Sequence, residues 1–536
     1  MRKERNHMGL ATKSLMGHIL AIFIVVGLSV VSMAETQQRP AKPNIILILA
    51  DDLGAKELSC YGNTKHRTPH LDRMASEGMR FETFYATPLC TPTRMALMTG
   101  QYGFHNGYLG MQNEAFKPDP KSPQRAIANH FTHADLLKTR GYATALAGKW
   151  QLPGTLPTLI HDAGFDEYRM WAYDNNLPVG VKHPAHEKGE GSNTCRYWHP
   201  CIVENGKYLP TTPDDYGPEL FQDFVIDFAR RHKSEPFFVY YTSVLTHGPF
   251  FETPDPSTPG ARWPANFKSN LEYLDHLMGK LVAELKAEGL DENTFVIFIG
   301  DNGTAGSGKS NVSELGARVP CIIRGPGVKR GVVSRAVADL TDIMATLAEF
   351  SGAELPKDRP FDGHSLGPVL RGEKEKHRDW IYSYLDDGRI LRDSRWLLEI
   401  AKGGKGETLF DCGENRDGTN YKDVTASADP EVKAARARFA EILAKMPAPS
   451  PRDGLQPLID NQPEKDASSG PPQDGRAARF DKRDKNHNGA IDHDEFMNSI
   501  LSNDKTASEA RFKKLDSNGD GNITREEFLA NGAKDK

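Results

Sequence analysis

The stretch Asn44-Ile45-Ile46-Leu47-Ile48-Leu49-Ala50-Asp51-Asp52 decides how this chain reads. Its apolar residues run without alternation, which predicts a strand buried on both faces and hence a parallel sheet covered by helices. Two adjacent carboxylates where such a strand emerges are costly unless something neutralises them. Taken alone, they would equally serve to cap the next turn.

The pattern recurs. Ala143 to Ala147 ends at Gly148-Lys149-Trp150, Pro236 to Thr242 leads on to Thr246-His247, and Thr294 to Gly300 ends at Asp301-Asn302-Gly303. Four apolar runs thus deliver polar groups at or beyond their C-terminal ends, the edge where open α/β sheets hold their ligands. Helical patterns lie between them. Thr68-Pro69 opens one, and Leu271, Leu274, Leu277, Leu281 and Leu285 form the core stripe of another.

A second landmark is Pro88-Leu-Cys90-Thr-Pro-Thr-Arg94-Met-Ala-Leu-Met-Thr-Gly100. Thr91 reads as a helix N-cap with Pro92 at the first helical position. Cys90 then sits in the positive field of a helix start, with Arg94 in the first turn. As a lone feature this is an ordinary buried cysteine.

Together Asp51-Asp52, Cys90 to Arg94, Gly148-Lys149-Trp150, His247, Asp301-Asn302-Gly303 and Lys309 with Glu314 through Pro320 resemble the type I sulfatases of the alkaline phosphatase superfamily. The resemblance spans Lys42 to Tyr421. It implies an alkaline-phosphatase-like α/β fold: a large, mostly parallel mixed sheet flanked by helices. It also implies that Cys90 is oxidised by the formylglycine-generating enzyme. Asp51, Asp52, Asp301 and Asn302 would bind one divalent metal, with modified Cys90 completing the shell. Hard oxygen ligands suit Ca²⁺ or Mg²⁺ better than zinc.

By the same resemblance, one hydroxyl of a hydrated formylglycine, activated by metal and Arg94, attacks sulfur, and the second expels sulfate. Lys149 and Lys309 would neutralise the sulfuryl oxygens, and His247 or Lys309 would protonate the departing alkoxide. The chain departs from the family pattern twice. Thr93 stands where Ser is usual, and Gln151 stands where Gly-Lys-Trp is usually followed by His. That histidine is a candidate base, whereas glutamine forms hydrogen bonds but takes no proton. A phosphodiesterase or phosphonate monoester hydrolase of the same superfamily, or a catalytically silent calcium-binding surface protein, are the alternative readings.

The remaining regions set the domain plan. At 536 residues the chain has room for a large core and an extra module. With 26% charged residues and a net charge of −5, nothing points to nucleic acid. A basic start, the apolar run Ile19 to Val31 and Ser32-Met-Ala34 read as a signal peptide over 1–34, predicting a secreted or periplasmic protein with no membrane span after cleavage. The catalytic domain is expected over 40–372, a smaller α+β subdomain over 373–446 and a Pro/Asp/Gln/Ser-rich linker over 447–475. Among six cysteines, Cys195 and Cys201 form the one candidate disulfide, and Cys321 reads as a buried thiol. Residues from about Trp171 to Asp215 are irregular, and Tyr197, Trp198 and His199 there read as surface filler or as a platform for a sugar ring.

Residues 476–536 read as a paired, all-α EF-hand module. Asp484, Asn486, Asn488, Ala490, Asp492 and Glu495 in one loop, and Asp516, Asn518, Asp520, Asn522, Thr524 and Glu527 in the other, stand at calcium-loop positions one, three, five, seven, nine and twelve. Gly489 and Gly521 occupy the sharp turns.

Overall fold

The computed structural model describes residues 42–111, 127–152, 158–173, 176–183, 195–416, 418–446, 480, 484, 486, 488–498, 509, 512–513 and 515–530. The expected leader (1–34) and linker (447–475) lie outside them. Contacts divide the chain into two units, residues 1–460 and 461–536.

In the first unit the strands are β1 Asn44–Ala50, β2 Met79–Tyr85, β3 Ala143–Lys149, β4 Glu167–Trp171, β5 Ile202–Glu204, β6 Lys207–Leu209, β7 Phe237–Thr242, the short pair β8 Thr253–Pro254 and β9 Arg262–Trp263, β10 Thr294–Gly300, β11 Cys321–Arg324 and β12 Val332–Asp339. Ten of them form one sheet in the order β12-β2-β11-β10-β1-β7-β3-β4-β5-β6. The four apolar runs are its centre: β10, β1, β7 and β3 are neighbours and mutually parallel. Their C-terminal ends therefore share one edge, as the sequence predicts.

Every residue of β1 is buried. Ile45, Leu47 and Leu49 face one core, and Ile46, Ile48 and Ala50 the other, as expected of a strand covered on both sides. The leucine stripe of the helix Phe267–Ala287 is buried in the second core. β11 runs antiparallel to both β10 and β2, so the sheet is mixed.

Downstream lies an antiparallel meander of β13 Ile381–Leu385, β14 Gly388–Arg392, β15 Trp396–Ile400, β16 Glu407–Asp411 and β17 Lys422–Asp423. The helix Pro430–Lys445 packs Val432, Ala435 and Phe439 into the same core as its Leu391, Leu398 and Leu409. This is an α+β layer built on local contacts. Among the described residues, no helix is long and apolar enough to cross a membrane.

In the second unit β18 Ala490–Asp492 pairs antiparallel with β19 Asn522–Thr524, setting Ile491 opposite Ile523. Phe480, Phe496, Phe512, Leu515 and Phe528 pack around that pair. Gly489 and Gly521 take left-handed φ values of 88° and 86°. Their amides donate to the first aspartate of each loop, Asp484 and Asp516, at 2.9 Å in both cases.

Candidate active site

The ends of the central strands are tied by backbone before any side chain is considered. Asp301 N–H donates to Ala50 O at 2.9 Å, Asp51 N–H to Leu245 O at 2.8 Å, and Thr246 N–H to Asp51 O at 2.6 Å. Asp52 then turns into the left-handed region (φ 57°), a costly conformation for a residue with a side chain and one that gathers at functional sites. Its own amide donates to Asp301 Oδ1 at 2.9 Å. Gly148 does comparable work in β3: its φ is 101°, and a Cβ there would lie 2.0 Å from Thr242 O. Only glycine lets β3 close on β7 just ahead of Lys149.

Three carboxylates and their cations meet at this edge. Lys149 Nζ contacts both oxygens of Asp51 at 2.9 and 2.8 Å. Arg94 Nη2 donates to Asp301 Oδ2 at 3.0 Å, lies 3.8 Å from Asp51 Oδ1, and Nη1 donates to Lys149 O at 3.1 Å. Lys309 Nζ sits on Asp52 at 2.7 and 2.8 Å. Asn302 Nδ2 donates to Asp52 Oδ1 at 2.9 Å, while among the described residues its buried Oδ1 receives no donor.

Burial favours the neutral carboxyl at Asp51 and Asp301. At Asp51 the neighbours win: Lys149 foremost, then His247, Arg94 and Lys309, hold it well below the usual carboxylate range. At Asp301 burial and the Asp51 charge push the carboxyl up to about 8 against the pull of Arg94. A buried amide oxygen without a donor among the described residues and a carboxyl raised by burial and the Asp51 charge are what a hard cation would satisfy, so the donor set fits one. Among the described residues, Asp51, Asp52 and His247 offer ligand atoms within 4.8 Å of one another. Asp301 is drawn away toward Arg94 and the Asp52 amide.

Cys90 is fully buried and is itself the first residue of the helix Cys90–Thr99. The expected start at Thr91-Pro92 is therefore corrected: Leu89, with extended backbone and no capping side chain, occupies the N-cap. Thr93 does the stapling instead. Its Oγ1 accepts Thr87 N–H at 3.0 Å and lies 2.8 Å from Thr87 Oγ1, closing the turn ahead of Cys90. Ser310 N–H donates to Pro88 O at 2.7 Å, tying the Lys309 loop to the same turn. Gln151 is buried in a left-handed conformation (φ 60°), and its Oε1 receives no hydrogen bond from the described residues.

Around His247 the structure brings in residues that sequence patterns do not mark. His247 Nε2 lies 3.7 Å from Asp52 Oδ2, and burial pushes the imidazole down to about 4. Arg196, itself buried, contacts His247 Nδ1, His247 O and Gly248 O through Nη2. Tyr197 Oη–H donates to His247 O at 2.5 Å. Tyr173, just past β4, is buried, and burial raises its phenol. Tyr197 is thus buried scaffold, neither surface filler nor a sugar platform. Trp198 is covered by Arg262, whose guanidinium stands 3.8 Å from its ring centre. Cys195 and Cys201, which bracket this loop, are buried and not joined as a disulfide, with Cys201 N–H donating to Cys195 O at 2.6 Å. Cys321 is buried as expected.

A sequence model of the family described as Sulfatase matches residues 43–353, a span that holds every residue of this cluster. The chain belongs to the sulfatase family. As a sulfatase it is a sulfuric ester hydrolase. It is 30% identical to mouse (Mus musculus) steryl-sulfatase over 67% of this chain and 69% of that protein. It is 32% identical to dog (Canis lupus familiaris) N-acetylgalactosamine-6-sulfatase over 64% of this chain and 69% of that one.

Among solved structures, one described under metabolism of multiple glycosaminoglycans by Bacteroides thetaiotaomicron aligns with a TM-score of 0.60 at 25% identity, over 76% of this chain and all of the other. Ps i-CgsB in complex with k-i-k-neocarrahexaose aligns with a TM-score of 0.62 at 25% identity, over 78% of this sulfatase and 94% of that chain. A model described as an EF-hand domain pair matches residues 476–531.

Proposed function

We propose that this sulfatase is an exported enzyme that cleaves sulfate esters of carbohydrates, with residue 90 converted from cysteine to formylglycine by the formylglycine-generating enzyme. The observation that carries the reading is the meeting of Cys90 and Arg94, on one buried helix, with Asp51, Asp52, Asp301 and Asn302 at the shared strand edge. Asp51, Asp52, Asp301, Asn302 and residue 90 would hold one Ca²⁺ or Mg²⁺, which supplies charge neutralisation for the sulfuryl group. A formylglycine hydrate supplies an oxygen nucleophile and a second hydroxyl through which residue 90 regenerates.

The chain's own groups do the rest. Arg94, 1% exposed, stays within the cluster, binds Asp301 and keeps positive potential beside residue 90. Lys149, with a side chain only 2% exposed, orients Asp51 and offers positive charge to sulfuryl oxygens. Lys309 and His247 are the groups of the cluster that open toward solvent, at 17% and 26% side-chain exposure. The ester enters from their side, and one of them supplies the proton that leaves with the alkoxide. Gln151 holds a hydroxyl at residue 90 by hydrogen bonding. The two EF-hands bind Ca²⁺ separately from catalysis.

The carbohydrate assignment draws on the relative named for N-acetylgalactosamine 6-sulfate and on the glycosaminoglycan and neocarrahexaose structures. Purified enzyme assayed against defined sulfated saccharides and matched phosphodiesters tests it. Sulfate release with negligible phosphodiester cleavage is expected. The reverse preference would reassign the site.

A further inference from the structure

We infer that the seam between the meander and the far edge of the main sheet holds a buried halide-type anion, clasped by Arg392 with Arg416 beside it. Arg392 ends β14 and is fully buried, and among the described residues none of its three guanidinium nitrogens has a hydrogen-bond partner. A guanidinium carries five N–H donors and no acceptor, and it does not shed its proton inside a protein. Left bare in an apolar seam, such a group is among the most costly a fold can bury.

The surroundings do not answer that charge. Tyr85, Val337, Ile381, Ile390, Leu397 and Cys412 form the core of the seam, and the Tyr421 ring lies 5.3 Å from the Arg392 guanidinium. The carboxylate that Arg392 feels most is Glu314. Both of its oxygens are already taken, Oε2 by the Tyr85 hydroxyl and Oε1 by Tyr421 Oη–H at 3.0 Å, and Arg318 Nε stands 4.0 Å from Oε1. Glu399 accepts the Glu314 amide at 2.7 Å, but burial pushes its carboxyl up to about 7, so it is only partly charged near neutrality. Cys412 offers a neutral sulfur, a weak acceptor, because burial pushes its thiol up to about 12.

Arg416 adds a second cation. Its Nη1 donates to Gly413 O at 2.9 Å and Asn415 O at 2.8 Å, and Nη2 donates to Ser394 O. Its buried Nε has no partner among the described residues. Burial and then the like charge of Arg392 disfavour the Arg416 cation. Arg392, Arg416 and Arg318 therefore face Glu314 and a partly neutral Glu399. Water would supply acceptors but no charge. A monatomic anion supplies both, and brings no further polar atoms that the apolar seam would have to satisfy.

The test uses the full chain at constant ionic strength and fixed Ca²⁺, with gluconate, a bulky anion, replaced stepwise by chloride. Melting temperature should rise along a saturating curve, by at least about 2 °C, as it does when a ligand binds only the folded state. Arg392→Met, which fills the position with an apolar chain, should lose the saturating rise. Asp417 neighbours Arg416 in sequence and is the alternative countercharge, so Asp417→Asn should leave the response as it is in the wild type. In wild-type crystals grown with bromide in place of chloride, anomalous scattering should place bromide against the Arg392 guanidinium, a readout that stands even where Arg392→Met fails to fold. Bromide at the surface only, equal chloride curves in wild type and Arg392→Met, or a chloride response seen only in Asp417→Asn would overturn the inference. None of these readouts depends on the reaction assigned to the active site.

Discussion

The ammonium of Lys149 lies 2.9 and 2.8 Å from the two oxygens of Asp51, with both side chains almost wholly buried. Such a pair is asymmetric in its consequences. Keeping it adds little net stability, but removing one partner leaves a bare buried charge, at a cost of about 3–5 kcal/mol. Lys149→Met should therefore lower thermal stability by that order. It should also cut turnover by roughly 10²–10³, as loss of a charge-stabilising donor does. Adding Asp51→Asn should restore much of the stability and none of the activity, which paired melting and kinetic measurements would read separately.

Gln151 should not behave as an inert spacer. It is buried beyond β3 with an oxygen that receives no hydrogen bond from the described residues. Gln151→Ala is expected to lower kcat by about tenfold, in line with the loss of one hydrogen bond in a buried site. Gln151→His should retain activity and shift the pH–rate profile, because it restores a titrating group. Unchanged turnover in the Ala variant would place Gln151 outside the reacting shell.

The strand edge that gathers the candidate site was legible because a parallel sheet writes its strand ends into sequence. β1, β3, β7 and β10 are mostly apolar and deliver Asp51, Lys149, His247 and Asp301 at or beyond their C-terminal ends. The contact of Arg196 with His247 was not legible. Arg196 lies in a stretch without periodicity, and its partner His247 is 51 residues away, so only the folded chain brings the two together. The start of the Cys90 helix was misplaced for a similar reason. Thr-Pro is a strong local stop-and-start signal, but the Thr87–Thr93 staple and the Pro88–Ser310 bond, both tertiary or semi-local, fix the turn ahead of Cys90. Far-edge strand order, with β2 and β12 beyond β11, carries no local signal either.

Asp275 gives a pH signature remote from the active site. Burial pushes its carboxyl up to about 7, although it accepts the amides of Leu71 at 2.8 Å and His70 at 3.1 Å. Because the folded value exceeds the unfolded one, its contribution is fully present below about pH 4 and is lost as pH rises through about 7. Melting temperature should fall between pH 4.5 and 7.5 more steeply in the wild type than in Asp275→Asn. Identical slopes would contradict the assignment.

The C-terminal loops are expected to bind calcium through their twelfth residues. Glu527 already accepts the Thr524 amide at 3.0 Å and the Ser517 amide at 3.1 Å, with backbone hydrogen bonding holding its carboxyl down at about 2. Glu495→Gln with Glu527→Gln should reduce the calcium stoichiometry of the full chain by two sites in titration calorimetry while leaving turnover in saturating Ca²⁺ within about twofold. Unchanged stoichiometry would remove the loops as calcium sites.

The central claim is the oxygen nucleophile at position 90, and the peptide spanning Cys90 reports on it directly. Mass spectrometry of that peptide, made alongside turnover measurements on the same preparations, is the decisive measurement. Enzyme from a host with the formylglycine-generating enzyme should carry formylglycine, and activity should scale with the fraction converted. Enzyme from a host without it should be folded and nearly inactive, matching Cys90→Ala. Full turnover from a preparation whose residue 90 is wholly unmodified thiol would contradict the account.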